Sequence, residues 1–205
     1  MSNSHTMFLD NDAHYGFMQE CIKMNPKKTV MSTYGIYAGV LFDTRDTTKF
    51  GDKSKYGLYT RDILDELVNF DDVSILVGIS TYKSCKPNNA RCIDCETNYA
   101  KQLIRIVNHA ETFPSIKWKM TNELHLKCSL FFYDDMTPLG VAGGRNFTNS
   151  DWADITFELA EKQIETLNEY FQTLWNVSRD VDDDTCGAIL KENMISEKAI
   201  ERLYL

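Results

Sequence analysis

The sequence predicts an α/β protein, a layered α-β-α sandwich with a mixed central sheet, and three observations carry that expectation. Segments with helical spacing alternate with short β-forming runs along most of the 205 residues, the arrangement that builds helix layers on a sheet. Residues 73–79 read Val-Ser-Ile-Leu-Val-Gly-Ile, a near-continuous apolar run typical of a central strand covered on both faces. A content of 43% hydrophobic and 12% aromatic residues is enough for one sizeable core.

Taken in chain order, a helix is expected over 13–23. A strand over 29–37 follows, in which Val30, Met31, Tyr34, Ile36 and Tyr37 are β-formers or bulky apolar residues. A polar loop over 43–55 leads to a helix over 59–70 with Ile63, Leu64 and Leu67 at helical spacing. After strand 73–79 come a helix over 97–111 and a strand over 116–120. Residues 161–175 form a helix with Ile164, Leu167, Tyr170, Phe171 and Leu174 on one apolar stripe. The main domain spans 1–178, with a Cys-rich loop at 85–95, and 179–205 is an acidic linker followed by a C-terminal helix or tail.

The chemistry concentrates between 123 and 158. Residues 124–133 largely alternate, which predicts a half-buried strand with Leu124, Leu126, Cys128, Leu130 and Phe132 inward. His125, Lys127 and Ser129 then share the other face. An imidazole and an ammonium on one rigid surface suit a phosphate, because the cation holds the anion while the imidazole attacks phosphorus or moves a proton. Residues 140–148 run from a short apolar piece into Gly143, Gly144, Arg145, Asn146 and Thr148. Glycines admit an anion close to backbone amides, Asn146 can donate to a phosphate oxygen, and Thr148 can brace the loop. Downstream, Ile155, Phe157 and Leu159 are expected to be buried, and Asp154, Thr156 and Glu158 to face the opposite way. A carboxylate there can orient and charge-stabilise an imidazole.

His125 and Lys127, followed by Gly143-Gly144-Arg145-Asn146-Phe147-Thr148, resemble the H-x-K…G-S-x-N-F-T signature of the phospholipase D superfamily, especially its short nuclease branch with one motif per chain. The resemblance implies a phospholipase D-like fold and metal-independent phosphodiester cleavage, with DNA as the first substrate and RNA as the second. It makes His125 the nucleophile that forms a phosphohistidine, Lys127 and Asn146 the phosphate ligands, and Asp154 the partner acid, with Glu158 as the alternative. Gly144, Arg145, Thr148 and Ser129 would line the substrate. Two positions depart from the signature: Phe132 stands where an aspartate is common, and Gly144 replaces the serine. Because each chain carries one motif, a homodimer is expected to supply the second histidine. No cofactor is required for that chemistry. One alternative is a catalytically weakened nucleic-acid-binding or inhibitory protein; another is a lipid phosphodiesterase.

Cys85, Cys92 and Cys95 form a separate candidate site with C-x-x-C spacing, compatible with structural zinc or with reduced thiols. His109, Cys128 and Cys186 are open candidates for a fourth ligand. A formal net charge of −8 excludes indiscriminate coating of nucleic acid, which needs clustered cations. Lys117, Lys119, Lys127 and Arg145 are expected on or beside the site, whereas Lys49, Lys53 and Lys55 read as solvated charge. Residues 1–12 lack a secretory leader pattern, and no window has the ~20 apolar residues needed to span a membrane. A cytoplasmic protein without disulfides is therefore expected, which leaves the sequons at Asn146 and Asn176 without a glycosylation role.

Overall fold

The computed structural model describes residues 7–8, 11–34, 55–122, 124, 126–144 and 155–204. Among the described residues eight strands form one sheet: β1 (Met7–Phe8), β2 (Lys28–Thr33), β3 (Val73–Ile79), β4 (Lys117–Asn122), β5 (Cys128–Phe132), β6 (Leu139–Gly143), β7 (Thr156–Glu158) and β8 (Arg179–Asp180). Their spatial order is β1-β7-β6-β5-β2-β3-β4-β8. β2, β3 and β4 are parallel to their neighbours within that trio, and every other pairing is antiparallel. The sheet is therefore mixed.

Helices cover both faces. On one, α1 (Asn11–Lys23), α2 (Lys55–Leu67), α3 (Ile93–Thr112) and α5 (Asp183–Glu192) bury Met18, Ile63, Leu64, Leu103 and Ile106 against Met31, Ile75, Val77 and Phe131. On the other, α4 (Glu161–Val177) brings Ile164 and Phe171 down on Val30, Leu76 and Leu130. Each fully buried Leu, Ile or Phe stabilises the fold by roughly 1.5–3 kcal/mol relative to an exposed one. All seven residues of β3 are buried, as its apolar run predicts.

Several boundaries and faces differ from the sequence expectation. β2 ends at Thr33, and residues 35–37 of the expected strand lie outside the described residues, as do Lys49 and Lys53. α2 begins at Lys55 and stops at Leu67, earlier at both ends than expected. α3 begins at Ile93, so Cys95 lies in its first turn; Asp94 and Glu96 there favour the positive end of a helix. The half-buried strand over 124–133 is a shorter strand covered on both faces, because β5 is flanked by β2 and β6 and lies between two helix layers. Ser129 is thus 1% exposed, beneath Met18. The β7 alternation is reversed: Thr156 is buried, while Ile155 and Phe157 are 49% and 45% exposed. The register explains the inversion, since Thr156 pairs with Gly143 and Glu158 with Val141, on the face that α1 covers. On α4, Tyr170 is exposed while Ile164, Leu167, Phe171 and Leu174 face the sheet; at 100° per residue it falls off the edge of that stripe.

The C-terminal segment joins the sheet and the main core. β8 pairs with β4, and Asp182 caps α5 by accepting from the Thr185 amide at 2.6 Å. Cys186, Ile189 and Leu190 of α5 enter the core. α6 (Glu197–Glu201) packs on α3, with Ser196 as its N-cap. Among the described residues no helix is long and apolar enough to cross a membrane.

Candidate functional site

β5, β6 and β7 converge at one end of the sheet. Just ahead of β5, the Lys127 carbonyl accepts from the Gly143 amide at 3.1 Å, and the Gly144 amide donates to the Ile155 carbonyl at 3.0 Å. Only glycine fits at 143, because a Cβ there would lie 2.2 Å from the Ile155 oxygen and 2.7 Å from the Thr156 Cα. Lys127, Gly143 and Gly144 are thereby held together, with Ile155 pinned beside Gly144. His125, Arg145, Asn146, Thr148 and Asp154 lie outside the described residues. Glu158, the alternative acid, sits beside Val141, two residues farther from this end than Thr156. Near it, burial pushes the Cys21 thiol up to about 12, with the Glu158 charge adding to the effect.

The Lys127 ammonium lies 6.0 Å from the centroid of the Tyr34 ring, a cation–π contact worth about 0.5–1 kcal/mol that restricts a flexible side chain. Beneath Lys127 is a small cavity of about 10 Å³ lined by His14, Ser32, Ser129 and Thr156. His14, at 4% exposure, lines this cavity and is a candidate that the sequence reading missed. A signal was available, since His14 and Met18 stand one helical turn apart on the buried stripe of α1. The Thr156 hydroxyl is buried without a hydrogen-bond partner among the described residues. Ser32 and Cys128 meet at 3.3 Å, and burial raises the Cys128 thiol to about 11.

Lys117 and Lys119 do not join this site. Two strands, β2 and β3, separate β4 from β5, so proximity in sequence is lost when the chain crosses the sheet. Lys117 pairs with Asp72 at 2.8 Å, and Lys119 lies over Trp175 and near Asp180.

Tyr34 also lines a larger cavity of about 630 Å³, which follows the ends of β2 and β3 and reaches the start of α3. Tyr82, Tyr99, Asn98, Gln102 and Lys83 contribute to its wall. Tyr82 and Tyr99 meet edge to face at 5.8 Å, and Ser80 donates to Gln102 at 2.9 Å.

Cys95 borders that cavity and belongs to a cluster with Cys85 and Cys92, the three sulfurs lying within 4.8 Å of one another. Cys85 and Cys92 sulfurs are 3.1 Å apart, and the Cys85 amide donates to the Cys95 sulfur at 3.2 Å. Hydrogen bonds from the Cys95 backbone and the neighbouring thiols lower the Cys92 thiol to about 7, while its bond to Cys92 raises Cys85 to about 11. None of the three candidate fourth ligands is near. His109 lies roughly 20 Å farther along α3 at 1.5 Å per residue, Cys128 faces α4 across the sheet, and Cys186 of α5 is turned into the core. Close by, Glu96 is buried; burial alone would raise its carboxyl, but bonds from the Ser196 amide and hydroxyl and from Arg91 outweigh that and hold it below the usual range.

No protein-family profile matches this sequence, and no curated protein matches it by sequence. Solved structures do match by shape. The phosphatidylserine synthase of Haemophilus influenzae Rd KW20 aligns over 98% of this chain and 47% of its own, with a TM-score of 0.55 and 14% identity. This chain thus spans about half the length of that synthase. NucT from Helicobacter pylori aligns over 86% of this chain and 98% of its own at TM-score 0.49 and 11% identity. The archaeal chromatin protein TrmBL2 covers 86% of this chain and 54% of its own at TM-score 0.45 and 9% identity. The fold is phospholipase D-like, as the motif implies.

Proposed function

We propose that the protein is a metal-independent phosphodiesterase of the phospholipase D type that cleaves DNA, with RNA as the lesser substrate, in a homodimeric site. The observation that carries this reading is the convergence of Lys127, held over Tyr34, with Gly143 and Gly144 at one end of the sheet. That end offers an ammonium beside close-approaching backbone, and the motif adds His125, Asn146 and Asp154 from the adjoining segments.

In the proposed reaction the His125 imidazole attacks phosphorus, forming a P–N bond as the bond to the leaving oxygen breaks. His125 of the second copy gives that oxygen a proton. The same imidazole then takes a proton from water, whose oxygen attacks phosphorus, breaks the P–N bond and releases a phosphomonoester. Lys127 and Asn146 from both copies hold the non-bridging oxygens as charge develops, and Asp154 orients His125.

A nucleic acid suits the surroundings better than a lipid. The neighbouring cavity presents Tyr34, Tyr82 and Tyr99 beside Asn98, Gln102 and Lys83, a lining of aromatic rings and amides that stacks and hydrogen-bonds bases. Gly144 favours a second reading, a nucleic-acid-binding protein with weakened turnover, because the motif's serine hydroxyl is missing.

The test is cleavage of supercoiled plasmid and single-stranded DNA in excess EDTA, comparing the wild type with His125→Ala. Cleavage by the wild type alone is expected. No cleavage by a folded, dimeric wild type, with DNA binding retained, would overturn the catalytic reading in favour of the binding one, and Gly144→Ser would then be expected to restore turnover. A monomer by light scattering at working concentration would remove the two-histidine scheme.

A further inference from the structure

The three-cysteine cluster takes no part in the chemistry above, yet it is assembled with care. Cys85 comes from the loop after β3, while Cys92 and Cys95 flank and enter the first turn of α3. The intervening chain is fastened at several points. Ser84 donates to the Ala90 carbonyl, Arg91 bridges to Glu96 at 3.1 Å and reaches the Asn193 carbonyl, and its guanidinium lies 5.9 Å from the centre of the Tyr82 ring. These contacts bring three sulfurs to one point without any cross-link between them.

We propose that Cys85, Cys92 and Cys95 bind one zinc ion through three thiolates, fixing the 85–95 loop as a rigid wall of the cavity beside Lys127. Zinc–sulfur bonds of about 2.3 Å in a tetrahedral site put the sulfurs about 3.8 Å apart. The observed 3.1 Å between Cys85 and Cys92, and the 4.8 Å limit for the whole set, bracket that spacing, so small side-chain shifts complete the geometry. A disulfide would use two of the sulfurs and leave the third unused. Three thiolates around a dication carry one net negative charge, and Lys83, Lys86 and Arg91 surround it in sequence. The amide of Cys85 on the Cys95 sulfur is the outer-shell bond that orients a ligand and offsets its charge. Among the described residues no other His, Cys, Asp or Glu joins the cluster, so water or a group outside those residues takes the fourth position. The ion's role is structural, since its ligands come from the loop after β3 and the start of α3, whereas Lys127 precedes β5 and the glycine turn ends β6.

The experiment is metal analysis of full-length protein purified under reducing conditions with zinc available. About one zinc per chain is expected for the wild type and less than a tenth of that for Cys92→Ser. Cobalt substitution should give thiolate-to-metal charge-transfer absorption in the wild type that Cys95→Ser loses. Should the variants not fold, the wild type still decides: zinc should protect the bonds after Lys83 and Arg91 from trypsin, chelator should abolish the protection, and added zinc should restore it. A wild type with no more zinc than the variant, or trypsin cleavage indifferent to zinc, overturns the proposal. So does a metal-free protein whose intact mass shows the loss of two hydrogens on oxidation, which would assign the cluster to thiol redox chemistry.

Discussion

The parallel and antiparallel halves of the sheet are built on different terms. β2, β3 and β4 lie under α2 and α3 around the larger apolar core, where Thr29, Ser32, Thr33, Ser74 and His109 are dispersed among apolar neighbours. β5, β6 and β7 lie under α1, and there the buried polar groups gather around one small cavity: Ser129 and Thr156 are each 1% exposed and His14 is 4% exposed. Burying hydroxyls and an imidazole forgoes hydrophobic stabilisation and adds a desolvation cost unless partners are found. The fold accepts that cost where the motif glycines and Lys127 converge. The larger apolar core thus lies in one half and the proposed site in the other.

Changes in each half should therefore move different observables. Lys127→Ala is expected to lower phosphodiester cleavage by about 10²–10³-fold, the scale for losing one charge-stabilising group at a reacting centre, while the melting temperature changes little. A large fall in melting temperature with only modest loss of activity would show that Lys127 is structural and would erase the contrast.

Acid should act on the parallel half. Burial lowers the His109 imidazole to about 4 from an ordinary 6.5, and its Nδ1 contacts the Arg105 carbonyl. As pH falls from about 6.5 towards 4, unfolded His109 takes up a proton and folded His109 does not. The unfolded state is thereby favoured, by roughly 3 kcal/mol once pH is below both values. Urea unfolding across that range should show the loss, and His109→Gln should flatten it; an unchanged slope in the variant would assign the acid sensitivity to other groups.

The smallest effect is expected at the junction of β6 and β7. Gly143→Ala places a Cβ against the Ile155 carbonyl and Thr156, an overpacking that costs about 1–3 kcal/mol. Its effect on cleavage should exceed its effect on stability, because the displaced backbone flanks 145–154. Equal proportional losses would mean that this turn serves folding alone.

Legibility in the sequence followed the same division. The apolar run of β3 and the stripe of α4 announce themselves, since burial on both faces or along one stripe leaves a direct pattern. The antiparallel half misleads because a polar residue in an alternating strand looks solvent-facing: Ser129 and Thr156 were both assigned wrongly on that ground, and Ile155 and Phe157 with them. Lys117 and Lys119 looked adjacent to the site only along the chain. His14 carried no motif, and its place under Lys127 depends on α1 crossing β5, a contact between residues far apart in sequence.

Local pattern by itself determined the alternation of helices and strands, the central position of β3, the motif spacing and the C-x-x-C pair. Each of these depends on neighbours within a few residues, where periodicity and side-chain chemistry act directly. Strand order, the face each polar residue takes, the approach of Gly143 to Ile155 and the meeting of Cys85 with Cys92 and Cys95 were decided only by tertiary structure. They depend on which surfaces pack together, and packing is a property of the whole folded chain.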